Sequence, residues 1–168
     1  EDNVFVYGKN LSVGELVGKG YASTGSVSTS TTFCGNLYKI LVSGGQKYTV
    51  SWGNLPDGMN GVFINTWKTD GSWNTRQAIS ATDNLTYTIP SGLGYVNFTL
   101  YKTGGITIGK DTWMQVEYGD AATEYVPAVA PSSASVESLM GVDSYVDTQE
   151  LVGGVVTRKV GYKVLDGT

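Results

Sequence analysis

Trp67, Trp73, Tyr95, Tyr101 and Trp113 stand in register with Asn65, Arg76, Asn97 and Gln115 along runs of alternating polarity. A flat aromatic face packs against the C–H side of a sugar ring, while amides and a guanidinium reach the hydroxyls. The set is therefore of the kind that carbohydrate recognition needs. The expected ligand-contact residues are Trp67, Trp73, Arg76, Tyr101, Trp113, Asn65 and Asn97. Trp67 closes one alternating run and Trp73 opens the next across an Asp70-Gly71 turn, so the two indoles should meet, with Arg76 three residues on. Trp and Tyr also favour strands for packing reasons, and a second layer over this face would bury them instead.

Catalytic chemistry is poorly supplied. The chain has no histidine, which excludes His-based triads, imidazole acid–base steps and His-ligated zinc. The single cysteine, Cys34, lies in Thr32-Phe33-Cys34-Gly35 with no disulfide partner and no zinc-type spacing, and reads as a small core residue. No phosphate-cradling glycine motif sits between a strand and a helix. Asp70, Asp83, Asp111, Glu117 and Asp120 formally satisfy the two-carboxylate requirement of glycoside hydrolysis. Turn and strand-end chemistry accounts for Asp70, Asp83 and Asp120, so the chain is expected to be non-catalytic and without a cofactor. Asp111 and Glu117 are the pair that could help hold a structural calcium, although no D-x-D-x-D-G run accompanies them.

The elements that must carry these residues are strands. Of 168 residues 23 are glycine, and charged residues make up 15% against the usual ~25%, a profile of short strands and tight turns. The net charge of −4 comes without a basic stripe, which argues against a nucleic-acid partner. No 18-residue apolar run is present, so no membrane-spanning helix is expected. The chain does not begin with Met and reads as a piece of a longer polypeptide.

Taken in order, Val4–Tyr7 is a short β-prone start, and residues 8–30 are Gly/Ser/Thr-rich with one or two weak edge strands. Leu37–Val42 and Gln46–Trp52 flank Ser43-Gly44-Gly45 as a hairpin would. Gly61–Trp67, Leu85–Ile89, Tyr95–Tyr101 and Asp111–Tyr118 alternate, with turns between them. Shared parity assigns Val50, Ile64, Val96, Phe98, Leu100, Met114 and Val116 to one core. The outward parity of the last strand, with Trp113, Gln115 and Glu117, is expected to be a display surface. Strands recurring every ~8–15 residues describe an all-β sandwich over residues 1–127. An Ala/Pro/Ser linker follows from Ala128 to Ala134, with one or two helical turns possible over Ser132–Met140. Asp147–Val152 and Val155–Leu165 then form a hairpin candidate around Gly153-Gly154.

Three stretches carry a resemblance. Trp113–Gly119, of the form W-x-Q-x-E-x-G, followed by Ala122–Pro127, of the form A-T-x-Y-x-P, resembles the closing signature of carbohydrate-binding-module-like jelly rolls in bacteriophage tail proteins. Lys47–Trp52, ending in Y-T-V-S-W, is similar to an early core strand of that class. Asp147–Thr168 resembles a connector recurrent in phage minor structural and tail-fibre proteins, where the chain usually continues. The resemblance implies a jelly-roll-like sandwich that adheres to bacterial surface polysaccharide, located in the virion tail and extracellular, beside other tail proteins. A trimeric homo-oligomer is one form it could take in the full-length protein. Three alternatives stay open: a structural spacer or trimerising module without a ligand, an accessory domain of a polysaccharide or cell-wall hydrolase, and a bacterial surface adhesin.

Overall fold

A computed structural model of the chain describes residues 9–128 in full and, outside them, the strand backbones at 3–6, 132–135, 141–142, 145–146, 148–152 and 155–159. By its internal contacts the chain divides into two units, Asn10–Val129 and Glu1–Lys9 together with Ala130–Thr168. No helix occurs among the described residues. The strands begin with β1 (Asn3–Val6), β2 (Lys19–Tyr21), β3 (Val27–Thr29), β4 (Phe33–Gly35), β5 (Ile40–Leu41) and β6 (Lys47–Gly53). They continue with β7 (Gly61–Lys68), β8 (Trp73–Ser80), β9 (Asn84–Thr88), β10 (Leu93–Tyr101) and β11 (Trp113–Tyr118). Beyond these lie β12 (Ser132–Ser135), β13 (Gly141–Val142), β14 (Tyr145–Val146), β15 (Thr148–Val152) and β16 (Val155–Lys159).

The larger unit is built from two antiparallel sheets. One runs β4-β10-β7-β8, with β5 also paired to β10; the other runs β11-β6-β9. Alternation fixes the face that each strand buries. Val62 and Ile64 of β7 and Val96, Phe98 and Leu100 of β10 meet Tyr48 and Val50 of β6 and Met114 and Val116 of β11 in one buried cluster. The two sheets therefore pack face to face as a β-sandwich. Every core position expected from parity is buried, and Cys34 lies in the same cluster. Burial pushes the Cys34 thiol up to about 12.

Two local expectations change. Leu37–Val42 and Gln46–Trp52 do not pair as a hairpin, because β5 belongs to the first sheet and β6 to the second. The Gly44-Gly45 turn instead carries the chain across the sandwich. Gly45 has φ +84 and donates its N–H to Ile89 O at 2.8 Å. The helical turns expected over Ser132–Met140 are also displaced. β12 occupies Ser132–Ser135 and pairs antiparallel with β1, while residues 136–140 lie outside the described residues. In the same unit β15 and β16 form the expected antiparallel pair, with Val152 opposite Val155, and β13 pairs with β14.

Phe98 is 1% exposed at the centre of the sandwich. Phe98→Ala is expected to cost ~3–5 kcal/mol in urea unfolding, whereas a loss below ~1 kcal/mol would place this face outside the core. The Cys34 thiol, protonated and buried, should resist a thiol reagent at pH 8 in the folded protein and react at once in denaturant.

Candidate functional site

Asn65, Trp67, Trp73, Arg76, Asn97 and Tyr101 all lie on the outward face of the β4-β10-β7-β8 sheet, as their strand register requires. That face is covered. Chain from Gly20 to Gly25, in the β2–β3 hairpin, lies across it, with Gly20 against Thr99 and Gly25 against the Trp73 indole. A Cβ on Gly25 would sit 2.5 Å from the ring, and its φ is +84, so only glycine seats the hairpin tip there.

Beneath this cover the aromatic groups pack against each other. Trp67 is buried and lies edge-on to Tyr21 at 4.7 Å and to Trp73 at 5.1 Å between centroids, so the two indoles meet as the turn predicts. Trp73 donates its Nε1–H to Ser23 O at 3.2 Å. Arg76 donates from Nη1 to Tyr21 O at 2.9 Å, and its guanidinium lies 4.4 Å from the Phe63 ring centre. Phe63 in turn stacks on Tyr101 at 4.0 Å. Asn97 donates from Nδ2 to Asn36 O and Tyr38 O at 3.0 and 2.8 Å. Asn65 donates to Asn97 Oδ1 at 3.1 Å, while its own Oδ1 is buried without a partner. Asn65, Trp67 and Asn97 are thus removed from solvent, whereas Trp73, Arg76 and Tyr101 remain half-buried at the margin. Residue alternation placed these six opposite the core but carried no sign of the layer above them, and Trp113 of the expected set lies apart from them, on the outward face of the other sheet.

The outward face of β11 is covered as well, by the chain that follows it. Glu117 accepts from Thr123 N at 2.8 Å and Thr123 Oγ1 at 2.6 Å, and from Gln115 Nε2 at 2.9 Å. Gln115 Oε1 accepts from Val126 N at 2.8 Å. Trp113 stacks on Tyr125 with centroids 4.6 Å apart and planes 24° apart. Six residues of the W-x-Q-x-E-x-G and A-T-x-Y-x-P stretches, Trp113, Gln115, Glu117, Thr123, Tyr125 and Val126, thus fold residues 119–126 back onto their own strand. The expected display surface on this face is a docking surface for the chain itself. Glu117 spends its carboxylate there, and no group of three His, Cys, Asp or Glu able to hold a metal occurs among the described residues. Asp70 behaves as the turn chemistry predicts: it accepts from Ser72 N at 2.8 Å, and hydrogen bonds from the Ser72 side chain and backbone hold its pKa below the usual value. Asp120 pairs with Lys47 at 3.3 Å on the surface.

An open concavity lies at the loop that leads into β11. Residues 54–56 and 109–112 line a depression at one end of the sandwich. Thr112 leads directly into Trp113, whose indole lies over Gly53, where a Cβ would come within 2.5 Å of it. The two loops are stitched together. Asn54 donates from Nδ2 to Asp111 O at 2.9 Å, Thr112 Oγ1 donates to Asn54 O at 2.9 Å, and Gly109 N donates to Thr112 Oγ1 at 2.9 Å. Asn54 adopts φ +56, the sole positive φ at a described residue other than glycine. Asparagine takes this left-handed conformation more readily than other non-glycine residues, and these bonds fix the two loops against each other. The side chains of Lys110 and Asp111 are exposed, and Leu55 and Pro56 give the wall an apolar part. Asn54, Lys110 and Tyr125 were not among the expected ligand residues. The turn-forming residues around Pro56-Asp57-Gly58 and Gly109 signal only loops, and nothing local shows that the two loops meet.

Glu117→Ala is expected to lower stability by ~1–3 kcal/mol, because Thr123 N–H and the Gln115 amide lose a buried acceptor. The same variant should become sensitive to limited proteolysis between residues 119 and 127. Trp73→Ala should lower stability by ~1–2 kcal/mol through lost packing on Trp67 and Gly25, read from the shift of the urea midpoint.

The chain matches no family model, no curated protein and no solved structure.

Proposed function

We propose that the chain is a non-catalytic module of a bacteriophage tail or tail-fibre protein that binds bacterial surface glycan at the loop end beside Trp113. The observation that carries this reading is the Trp113–Tyr125 stack, whose Trp113 follows directly in the chain on Thr112 of the depression lined by residues 54–56 and 109–112. Tyr125 keeps 38% of its surface exposed, and the Lys110 and Asp111 side chains of the depression are exposed too. Such a site grips a sugar through apolar contact plus a few hydrogen bonds, and it gains strength from repeated copies along a fibre. The virion-tail setting, and other tail proteins as neighbours, rest on the resemblance of Trp113–Pro127 and Asp147–Thr168 to phage tail segments.

A second reading has its own observation. The outward faces of β7, β10 and β11 are largely covered by the chain itself, as a module that only spaces or assembles a fibre would have them. Binding decides between the two. The 168-residue chain should bind whole bacterial cells or a glycan array, and Lys110→Ala with Asp111→Ala should weaken that binding at least about tenfold. Both side chains are exposed, so the melting temperature of the double variant should move by no more than ~2 °C. An intact chain that binds neither cells nor glycans would put the spacer reading in its place.

A further inference from the structure

We infer that the loop-end site takes an uncharged hexopyranosyl unit, with Asp111 and Lys110 on neighbouring hydroxyls, in preference to a phosphate- or uronate-bearing one. This rests on the glycan-binding reading above and specifies the ligand of that same site.

Charge is the first argument. The loop residues 54–60 and 102–112 carry Asp57 and Asp111 against Lys102 and Lys110, so the region is balanced. Asp57 and Lys102 are occupied locally: Lys102 Nζ donates to Asp57 O, and the Asp57 carboxylate is held below its usual pKa by a hydrogen bond from Thr107 and by the Lys102 charge. What faces the depression is one ammonium beside one carboxylate. An anionic ligand drawn by Lys110 would meet Asp111 at the next residue, within a chain of net charge −4.

Hydrogen-bonding capacity is the second. Phosphate sites gather free backbone N–H groups or a guanidinium fork. Here the N–H groups of Gly109 and Thr112 are already bonded, to Thr112 Oγ1 and Gly109 O, and the lining contains no arginine. The unspent groups among the described residues are of mixed character. Among the side chains of the lining they are the Lys110 ammonium, a donor, and the Asp111 carboxylate and Asn54 Oδ1, both acceptors. A hydroxyl both donates and accepts, so a pair of adjacent hydroxyls satisfies a carboxylate and an ammonium together. Leu55 and Pro56 offer an apolar wall for ring C–H groups.

The test is ligand-observed NMR on the 168-residue chain with methyl glucoside, methyl galactoside and methyl rhamnoside, set against glucuronate and glycerol phosphate. At least one neutral glycoside should give saturable binding that changes less than about twofold between about 50 and 500 mM NaCl. Asp111→Asn removes the charged acceptor but keeps the backbone carbonyl that Asn54 uses, so neutral-sugar binding should fall about tenfold with the fold intact. Preference for glucuronate or glycerol phosphate, or a loss above about tenfold across that salt range, overturns the inference. If the chain binds cells yet none of the neutral glycosides, the inference fails and the glycan-binding reading stands. If it binds neither cells nor any of the five probes, both fall.

Discussion

Buried side-chain amides join the irregular segments of the larger unit to the sheets beneath them. Asn10 accepts from Val116 N at 3.1 Å and Ser12 N at 2.9 Å and donates to Met114 O at 3.2 Å, so one side chain occupies ladder positions on the free edge of β11. Asn36 accepts from Tyr38 N and donates to Ser12 Oγ; Asn97 holds the carbonyls of residues 36 and 38; Gln115 receives Val126 N. A strand laid over a sheet satisfies its own backbone by pairing, but a loop laid over a sheet cannot. Each loop carbonyl or N–H left dry would cost ~1–3 kcal/mol, and an amide with both a donor and an acceptor removes that cost at several points. Without these residues the sandwich would keep its core but lose the bonds that hold residues 10–12, 36–38 and 126 to it.

This dependence explains which parts of the structure the sequence reveals. Alternation in β6, β7, β10 and β11 identifies the inward parity, and Val50, Ile64, Val96, Phe98, Leu100, Met114 and Val116 are buried as that parity requires. The outward parity, with Asn65, Asn97, Gln115 and Glu117, looks the same whether water or a loop lies against it. Only non-local facts distinguish the two cases: that Gly20 can approach Thr99, and that Thr123 returns to Glu117. The Gly44-Gly45 turn is a similar case. A reversal is legible from two glycines, but whether the chain re-enters the same sheet or crosses to the other depends on which strand wins β10 as a partner.

The candidate site was visible through one residue. Trp113 belonged to the aromatic set expected to touch ligand, yet its surroundings come from chain distant in sequence: Gly53 below it, Tyr125 stacked on it, and Asn54 bonded to Asp111. Trp67 and Trp73 were placed correctly against each other, but Tyr21 and Gly25 occupy the surfaces on which a sugar would rest. Aromatic content therefore marks where layers meet as readily as where ligands bind. The difference lies in whether free polar groups stand beside the ring.

Asn10 also donates to Val126 O at 3.0 Å, so the chain enters and leaves the larger unit at the same place. In mechanical terms, tension pulled through residues 10 and 126 loads that short path before it reaches the core strands. The sandwich hangs to one side of the line of force, as a side bead on a thread. Modules connected in this way can be transplanted into a foreign loop, or circularly permuted with new ends opened at an exposed turn such as Asp57-Gly58, at little entropic cost, because their own ends already touch.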